Sequence, residues 1–256
     1  MALALVTGGT SGLGHAFART YAQRGYDVIV VARDTDRGLR ICDRLESYYG
    51  VTARFVTADL SKADDVDQVV QIIRDEPVDV VVNCAGFGLH GGLDKPANEP
   101  FYISAVDVMC TALMRISGAA AGAMKQRGTG TIINIASASA WIMQGVYSAI
   151  KSFVLRYTQA LSIELDGTGV TATAVCPGWV RTEFHSRAGI STHYPNIVWV
   201  PADQVVAETL RAVQDGKDVV VPSLRWKVAI FLAQRVPTRL IRMISKALVS
   251  SRKKDA

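Results

Sequence analysis

The fold of this 256-residue chain is decided near its start, where residues 2–14 read ALALVTGGTSGLG. An apolar run of strand length leads into a glycine-rich turn, and an amphipathic helix follows. Gly8 permits the sharp turn, while Gly12 and Gly14 let the backbone approach a ligand closely. The helix N-terminus adds unpaired N–H groups and the positive end of the helix dipole, which favour phosphate. The stretch predicts a dinucleotide site; a tight strand–helix turn without a ligand is the simpler alternative.

Beyond the turn, short apolar runs alternate with amphipathic segments of helix length. Strands are predicted at residues 2–6, 27–32, 52–57, 78–83, 130–136, 170–176 and 218–221. Helices are predicted at residues 12–24, 35–49, 62–74, 101–127 and 147–166. The strands are near-continuous apolar runs, as expected of parallel strands covered on both faces. The alternation predicts an α/β, doubly wound Rossmann fold with about seven parallel strands and helices on both faces.

Composition favours one globular domain in a reducing compartment. The hydrophobic fraction is 49%, enough for a substantial core. The chain shows neither a secretory signal nor an apolar run near the ~18 residues that a membrane span needs. The four cysteines lack the paired spacing of a metal site, so no metal is predicted and a cytoplasmic location is expected. They are Cys42, Cys84, Cys110 and Cys176.

Charge is distributed unevenly. The net charge is +5, yet residues 223–256 hold nine Lys/Arg and one acid, a net +8, and the preceding residues sum to −3. The body therefore offers no field for nucleic acid. We expect a dinucleotide-binding catalytic domain at 1–222 and a basic C-terminal extension at 223–256.

The extension has the pattern of a basic amphipathic helix. Arg239, Arg242 and Lys246 lie off an apolar stripe of helical spacing. Such a helix can lie on an anionic membrane surface. It can equally form a lid over a substrate pocket or pack on a partner subunit, and both interpretations stay open. The stripe consists of Leu240, Ile241, Ile244, Ala247 and Leu248.

The end of the second strand predicts the cofactor. A chain that binds NAD usually carries an acid here, which accepts a hydrogen bond from the ribose 2′-OH. Ala32 occupies that position and Arg33 follows, which favours the 2′-phosphate of NADPH. Ser11, in the first turn, adds a hydroxyl donor. The alternative is a solvated Arg33, with Asp34 in the role of the acid.

Three further residues suggest carbonyl chemistry. Tyr147 and Lys151 lie four apart, on one face of a predicted helix. A nearby ammonium lowers the pKa of a phenol toward neutral pH, as general acid–base catalysis requires. Ser137, after the fifth strand, supplies a hydroxyl that can orient a carbonyl oxygen. Alone, a Tyr-x-x-x-Lys pair is more often an ordinary amphipathic helix.

Together these motifs resemble those of the short-chain dehydrogenase/reductase family, over roughly residues 2–221. Asp59-Leu60 resembles the pair that contacts adenine, and residues 83–86 are similar to the N-N-A-G signature. Residues 177–182 look like the P-G-x-V-x-T segment, which holds the nicotinamide carboxamide. The resemblance implies an NADPH-dependent oxidoreductase in which Tyr147 donates the proton, Ser137 polarises the carbonyl, and Lys151 binds the nicotinamide ribose. It implies cofactor contacts at Gly8, Thr10, Ser11, Gly12, Leu13, Gly14, Arg33, Asp59, Leu60, Asn83, Ala85, Gly86, Tyr147, Lys151, Pro177, Gly178, Val180 and Thr182.

Two departures from the family pattern keep a second function open. Met109 stands where the family often has an asparagine that supports a proton relay, and Ser137 lies only ten positions before Tyr147, a shorter spacing than usual. A weakly active or inactive dinucleotide-binding sensor or scaffold is therefore the alternative to a reductase.

The substrate side is expected to be apolar, which favours a hydrophobic ketone or a 3-oxoacyl, steroid-like or lipid carbonyl. Ordinary core packing is the alternative for part of this lining. Arg181 is a candidate contact for a substrate anion, His185 is expected on an exposed helix, and a homo-oligomer through the long helices stays open. The apolar candidates are Phe87, Leu89, Trp141, Ile142, Met143, Trp179 and Phe184.

Overall fold

The computed structural model describes residues 2–89, 94–143, 145–184 and 195–235, together with Pro237, Arg239, Arg242, Met243 and Ser245. In this part of the chain the strands are β1 (Leu3–Thr7), β2 (Asp27–Ala32), β3 (Ala53–Thr57), β4 (Val78–Asn83), β5 (Gly130–Ile135), β6 (Val170–Val175), β7 (Trp179–Arg181), β8 (Trp199–Pro201) and β9 (Val219–Val220). The main sheet is parallel, in the order β3-β2-β1-β4-β5-β6-β9. It confirms the predicted α/β, doubly wound fold. The small parallel pair β7-β8 was absent from the predicted strands.

The described helices are α1 (Gly12–Gln23), α2 (Thr35–Tyr49), α3 (Ala63–Asp75), α4 (Glu99–Val106), α5 (Ala112–Arg127), α6 (Gly145–Glu164), α7 (Ala202–Gln214) and α8 (Leu224–Ala233). A π-helical turn at Asp107–Thr111 joins α4 to α5, so the single helix predicted at 101–127 has a local irregularity. α7 is missing from the predicted elements. The sequence does contain the apolar spacing of an amphipathic helix here, and Val205, Val206 and Leu210 are buried along one face.

The two faces of the sheet carry separate halves of the core. Alternate residues of one strand point to opposite faces. Val6 of β1 packs with α1, α2 and α7, whereas Leu5 packs with α3, α5 and the C-terminal part of α6. Both residues have no exposed surface. The near-continuous apolar strands are thus explained by cover on both faces.

The helical stretch Pro96–Arg127 is apolar enough to cross a membrane, judged by length and composition alone. In the fold, its α5 part packs against α3, β4 and β5. Ile116 and Met124 have no exposed surface there. These contacts are those of a core helix in an α/β domain.

The order of the sheet positions the site. β1 lies between β2 and β4, so the chain changes direction across the sheet at the β1–β4 boundary. In open α/β sheets, ligands bind in the crevice outside the carboxyl ends of the strands at such a switch point. The register places Thr7 beside Asn83, and Asn83 beside Asn134, at that edge.

A buried polar network ties these strand ends to α5 and α6. The Asn83 Nδ2 donates to the Asn134 Oδ1 at 2.9 Å and to the Ser117 Oγ at 3.0 Å. The Asn134 Nδ2 donates to the Thr158 Oγ1 at 3.0 Å. Asn134, Ser117 and Thr158 are fully buried. Because an unsatisfied buried polar group is costly, the network fixes the relative positions of the elements that carry the site.

We expect Asn134→Ala to lower the free energy of unfolding by about 2–4 kcal/mol, since it leaves the Asn83 amide and the Thr158 hydroxyl each short of a buried partner. Urea denaturation of the variant measures this loss. Thr171→Ala is the matched control, because Thr171 is a partly buried strand residue with one long contact, 3.4 Å to Thr131. Equal losses in the two variants would contradict a special role for the network.

Candidate active site

The glycine-rich turn forms a tight backbone cradle. Gly8 and Gly12 have φ of 67° and 52°, a region that favours glycine. A Cβ at Gly14 would lie 2.3 Å from the carbonyl oxygen of Gly8, so only glycine lets α1 start this close to the turn. A Cβ at Gly8 would lie 2.9 Å from the backbone of Ala85. The cradle therefore fits a group that approaches the backbone closely, such as the pyrophosphate of a dinucleotide.

Thr7 fixes the loop after β4 against this turn. Its Oγ1 accepts the N–H groups of Cys84 and Ala85 at 3.1 and 3.2 Å. The predicted contacts at Ala85 and Gly86 are thereby brought beside Gly8. Thr7 stands just before the first glycine and is 1% exposed. It was not predicted as a positioning residue, although a polar residue at the end of an apolar strand indicated such a role.

Arg33 and Asp34, the two residues after β2, have different roles. The Asp34 side chain accepts the N–H of Arg37 at 3.0 Å and caps the N-terminus of α2. Asp34 is thus used by its own helix, which disfavours the alternative that it replaces the ribose-binding acid. Arg33 follows β2 directly and is exposed.

Asp59, predicted at the adenine, lies within the field of Arg33. Partial burial raises the pKa of Asp59, but hydrogen bonds from Ser61 and the charge of Arg33 outweigh it, and the pKa is lowered. The Ser61 N–H and hydroxyl donate to the Asp59 Oδ1 at 3.1 and 2.9 Å. Asp59 is therefore a fixed carboxylate beside the cation that is predicted to bind the 2′-phosphate.

A second arginine, Arg37, lies in the first turn of α2. Its guanidinium forms an ion pair with Glu183 at 3.2 Å, which links α2 to the segment after β7. Burial and the charges of Arg19, Arg37 and Arg44 lower the pKa of His15. Arg37 was missed from the sequence, although it lies one turn beyond Arg33. Arg19 and Arg37 are each paired with a carboxylate, Asp203 and Glu183, so their charges are already largely balanced.

The helix α6 places Tyr147 and Lys151 on one face, as their spacing predicts. The Lys151 Nζ lies 5.6 Å from the centroid of the Tyr147 ring. Lys151 is only 6% exposed, and its Nζ donates to the carbonyl oxygen of Ile135 at 2.9 Å. This hydrogen bond anchors the lysine to the end of β5. The phenol and the amine are thus held together at the carboxyl edge of the sheet.

The surroundings of Lys151 are rich in sulfur. Burial lowers its pKa to about 8, and the nearby thiols of Cys84, Cys110 and Cys176 act in the opposite direction. Burial raises the pKa of Cys84 and Cys176 to about 12, so these thiols are neutral at physiological pH. The ammonium is therefore held in a largely apolar environment.

Met109 helps to close this environment. It is 1% exposed, and a Cβ at Gly86 would lie 2.9 Å from the Met109 Sδ and 4.0 Å from the Lys151 Nζ. The π-helical turn carries both Met109 and Cys110 to this position. A thioether stands here in place of the amide that the family often has, so no side-chain amide supports a water at this point.

Ser137 lies two residues after β5 and is the N-cap of the 3₁₀ turn Ala138–Trp141. Its Oγ accepts the N–H of Ser139 at 3.1 Å. The tight turn accommodates the short spacing between Ser137 and Tyr147. Within the described residues, the Ser139 Oγ is buried without a hydrogen-bond partner, whereas Ser137 stands at the strand end.

The segment after β6 covers the glycine-rich turn. A Cβ at Gly12 would lie 3.2 Å from the Thr182 Cβ, which places Thr182 directly over the turn. Val180 is buried in β7. Gly178 lies against Trp226 of α8, since a Cβ at Gly178 would lie 2.0 Å from the indole ring. The predicted cofactor segment thus contacts both the turn and the C-terminal extension.

The predicted apolar lining separates into two groups. Phe87 and Leu89 pack with Tyr147 in one cluster, and the Phe184 ring lies 6.0 Å from the Tyr147 ring. Trp141 instead packs beside β9, in another cluster, and Trp179 packs on Trp199 at 5.4 Å. These contacts agree with ordinary core packing, the alternative interpretation, for the two tryptophans.

Two other candidates have different outcomes. Arg181 donates to the Asn196 Oδ1 at 3.0 Å and lies 5.7 Å from the Trp199 ring, so local contacts already engage its guanidinium. His185 lies outside the described residues. Met143 is half exposed, and its N–H donates to the buried Ser245 Oγ at 3.0 Å. The C-terminal extension therefore reaches the loop between Ser137 and Tyr147.

Comparison with known proteins identifies relatives along most of the chain. A family model described as short chain dehydrogenase matches residues 2–190. A putative ketoacyl reductase of Streptomyces coelicolor is 37% identical over 226 residues, which cover 85% of this chain and 84% of that protein.

Two solved structures share the fold. A short-chain dehydrogenase of Sphingobium yanoikuyae in complex with NADPH has a TM-score of 0.83 and 32% identity, over 91% of this chain and 94% of that one. A bulky-bulky ketone specific alcohol dehydrogenase of Comamonas testosteroni has a TM-score of 0.78 and 29% identity, over 91% and 92% of the two chains. The similarity thus extends over the strand ends that carry the candidate site.

Proposed function

Since the chain belongs to the short-chain dehydrogenase/reductase family, we propose that it reduces a hydrophobic ketone or 3-oxoacyl-type carbonyl to an alcohol with NADPH. Tyr147 is the general acid. One observation carries the proposal: the Lys151 Nζ lies 5.6 Å from the Tyr147 ring at the carboxyl edge of the sheet. A phenol beside an ammonium, next to a glycine-rich cradle, is suited to proton donation during hydride transfer.

The residues present fit NADPH. The backbone at Gly8, Gly12 and Gly14 leaves room for the pyrophosphate, and Arg33, exposed after β2, would bind the 2′-phosphate. When bound, NADPH supplies the hydride for the carbonyl carbon. Thr182, over the glycine-rich turn, is positioned for the nicotinamide end. The NADPH complex of the Sphingobium relative supports the same cofactor.

The protein supplies a proton and holds the carbonyl. Tyr147 gives its phenolic proton to the carbonyl oxygen, and the Lys151 ammonium stabilises the phenolate that forms. The Ser137 Oγ accepts a backbone N–H, so its own hydrogen serves to donate to the same carbonyl oxygen. The hydrogen bond from Lys151 to Ile135 keeps the ammonium in place during the transfer.

The apolar contacts of Tyr147 support a hydrophobic substrate. Phe87, Leu89 and Tyr147 pack against one buried apolar cluster, and the Phe184 ring lies 6.0 Å from the Tyr147 ring. Apolar side chains favour apolar substrates because they bury their surface. The names of two relatives, a ketoacyl reductase and a ketone specific alcohol dehydrogenase, agree with this class. What supports an enzyme over a sensor is Lys151 beside the phenol, the retention of Ser137, and these relatives.

A carbonyl panel tests the proposal. NADPH absorbance is followed with an aryl ketone, a 3-oxoacyl thioester, and a small hydrophilic ketone of similar intrinsic reactivity. We expect kcat/KM to be highest for one of the two apolar classes. Equal values for all three, or consumption of NADPH with none, would contradict the proposed substrate class.

For the cofactor, Arg33→Ala is expected to raise the KM for NADPH by about 10- to 100-fold, because a charge-assisted contact to phosphate contributes about 1.5–3 kcal/mol. The KM for NADH should change little, since NADH has no 2′-phosphate. Arg40→Ala, at an exposed position of the following helix α2, controls for the loss of one positive charge. Equal increases for NADPH and NADH in the Arg33 variant would contradict the role of Arg33.

A further inference from the structure

The helix α8 presents an apolar face to solvent. Leu224, Val228, Phe231 and Leu232 are 74%, 50%, 52% and 56% exposed. Their spacing of four, seven and eight residues places them on one side of the helix. Ile230, on the other side, is 6% exposed and packs inward. We call these four exposed residues the α8 face.

Cations border the α8 face. Arg225 and Lys227 lie on either side of it by helical position, and the Arg235 guanidinium lies 3.4 Å from the centroid of the Phe231 ring. Lys227 is also paired with Glu208 at 3.2 Å. Further along, Arg239 and Arg242 are exposed, and Met243 is 65% exposed. An apolar stripe with long cationic side chains along its edges is the pattern of a helix at a lipid interface.

The extension is also attached to the two segments that border the active site. Trp226, on α8, lies against Gly178 and donates to the carbonyl oxygen of Val198 at 3.0 Å. Ser245 is 4% exposed and accepts the N–H of Met143, in the loop before Tyr147. Trp226 thus joins α8 to the segment after β6, and Ser245 joins the extension to the loop before Tyr147.

We propose that the α8 face and the cations around it dock the enzyme on an anionic lipid surface, from which it takes its apolar carbonyl substrate. The docking is independent of the reaction, whereas the delivery of substrate rests on the proposed function. The α8 face could bind either a lipid bilayer or a second copy of the chain, and the charge of the extension favours the bilayer. The net charge of residues 223–256 is +8, whereas that of residues 1–222 is −3. Two such surfaces repel each other, while anionic headgroups attract them.

The docking is tested by flotation of the full-length protein with vesicles. Wild type should float with vesicles of phosphatidylcholine and phosphatidylglycerol, far more than with phosphatidylcholine alone, and high salt should release it. Leu232→Glu should reduce the bound fraction about tenfold, since it removes apolar contact and adds a repelled charge. Leu39→Glu, at 51% exposure on α2, is the matched control and should bind like wild type.

Three results would overturn the docking: equal binding to neutral and anionic vesicles, equal binding by the Leu232 and Leu39 variants, or a dimer that Leu232→Glu dissociates without any vesicle binding. Activity toward a water-soluble ketone separates this inference from the proposed function. If docking is correct, Leu232→Glu retains that activity and loses activity only toward a ketone dissolved in the vesicles. Absence of all reductase activity would contradict the proposed function and leave the flotation result standing.

Discussion

Tyr147→Phe is expected to lower kcat/KM for carbonyl reduction by about 10²–10⁴-fold, the usual contribution of a general acid. The substitution removes only the phenolic oxygen, so the ring keeps its packing against the buried apolar cluster and its position beside Phe184. NADPH binding should be nearly unchanged, because the glycine-rich turn and Arg33 are untouched. Steady-state NADPH consumption measures the first effect, and a fluorescence titration with NADPH measures the second.

The matched control for this variant lies on the same helix. The Tyr157 hydroxyl donates to the carbonyl oxygen of Met114 at 3.1 Å, away from the site. Tyr157→Phe should cost about 1 kcal/mol of stability at most and leave kcat intact. If Tyr147→Phe kept most of the wild-type turnover, or if both variants lost it equally, Tyr147 would not be the proton donor.

Lys151→Met is expected to abolish turnover to a similar degree. Methionine is close to lysine in length but carries no charge, so the phenolate loses its stabilising cation. The lowered pKa of about 8 also predicts that wild-type reduction declines as the pH rises through this value, because the amine then loses its proton. The pH profile of kcat/KM checks this decline.

The same substitution should change how stability depends on pH. Burial first of all lowers the pKa of Lys151 from 10.5 to about 8. Below pH about 8 the fold contains a buried ammonium, which is unfavourable. Between pH 8 and 10.5 the unfolded chain binds the proton that the folded chain has released, so wild-type stability rises with pH. Relative to Lys151→Met, wild type should gain about 3 kcal/mol across this range.

Urea denaturation of wild type and Lys151→Met at several pH values measures the difference. Its pH slope is the informative quantity, because the Ile135 carbonyl loses its donor in the variant at every pH and shifts the curve by a constant amount. Lys125→Met, at an exposed position of α5, should run parallel to wild type. A flat difference for Lys151→Met would mean that the ammonium is not destabilised by burial.

Local sequence patterns were sufficient to predict the strand ends, the glycine-rich turn and the helix face that carry the candidate site. The strand, glycine-rich turn and helix at residues 2–24 follow from hydrophobic period and from the conformational freedom of glycine. Tyr147 and Lys151 share a face because residues four apart on a helix always do. Ser137 and Asn83 come at the carboxyl ends of their strands, where a parallel sheet binds ligands. These features depend on neighbours in the sequence, so the sequence predicts them.

The environment of Lys151 could not be predicted in this way. Cys84, Cys110 and Cys176 reach it from three separate elements, and the π-helical turn that carries Cys110 and Met109 has no clear sequence pattern. The lowered pKa therefore depends on packing between distant segments. Only the assembled fold determines it.

By itself, the sequence determined the doubly wound sheet, the glycine-rich cradle and the pairing of phenol and amine, since each depends on backbone period or on residues within one turn of a helix. The tertiary structure decided that Trp141 packs beside β9, that Trp179 packs on Trp199, and that Ser245 reaches Met143 across 102 positions. Such contacts join segments far apart in the chain. Their free energy comes from burial and hydrogen bonds that exist only after the segments have packed together.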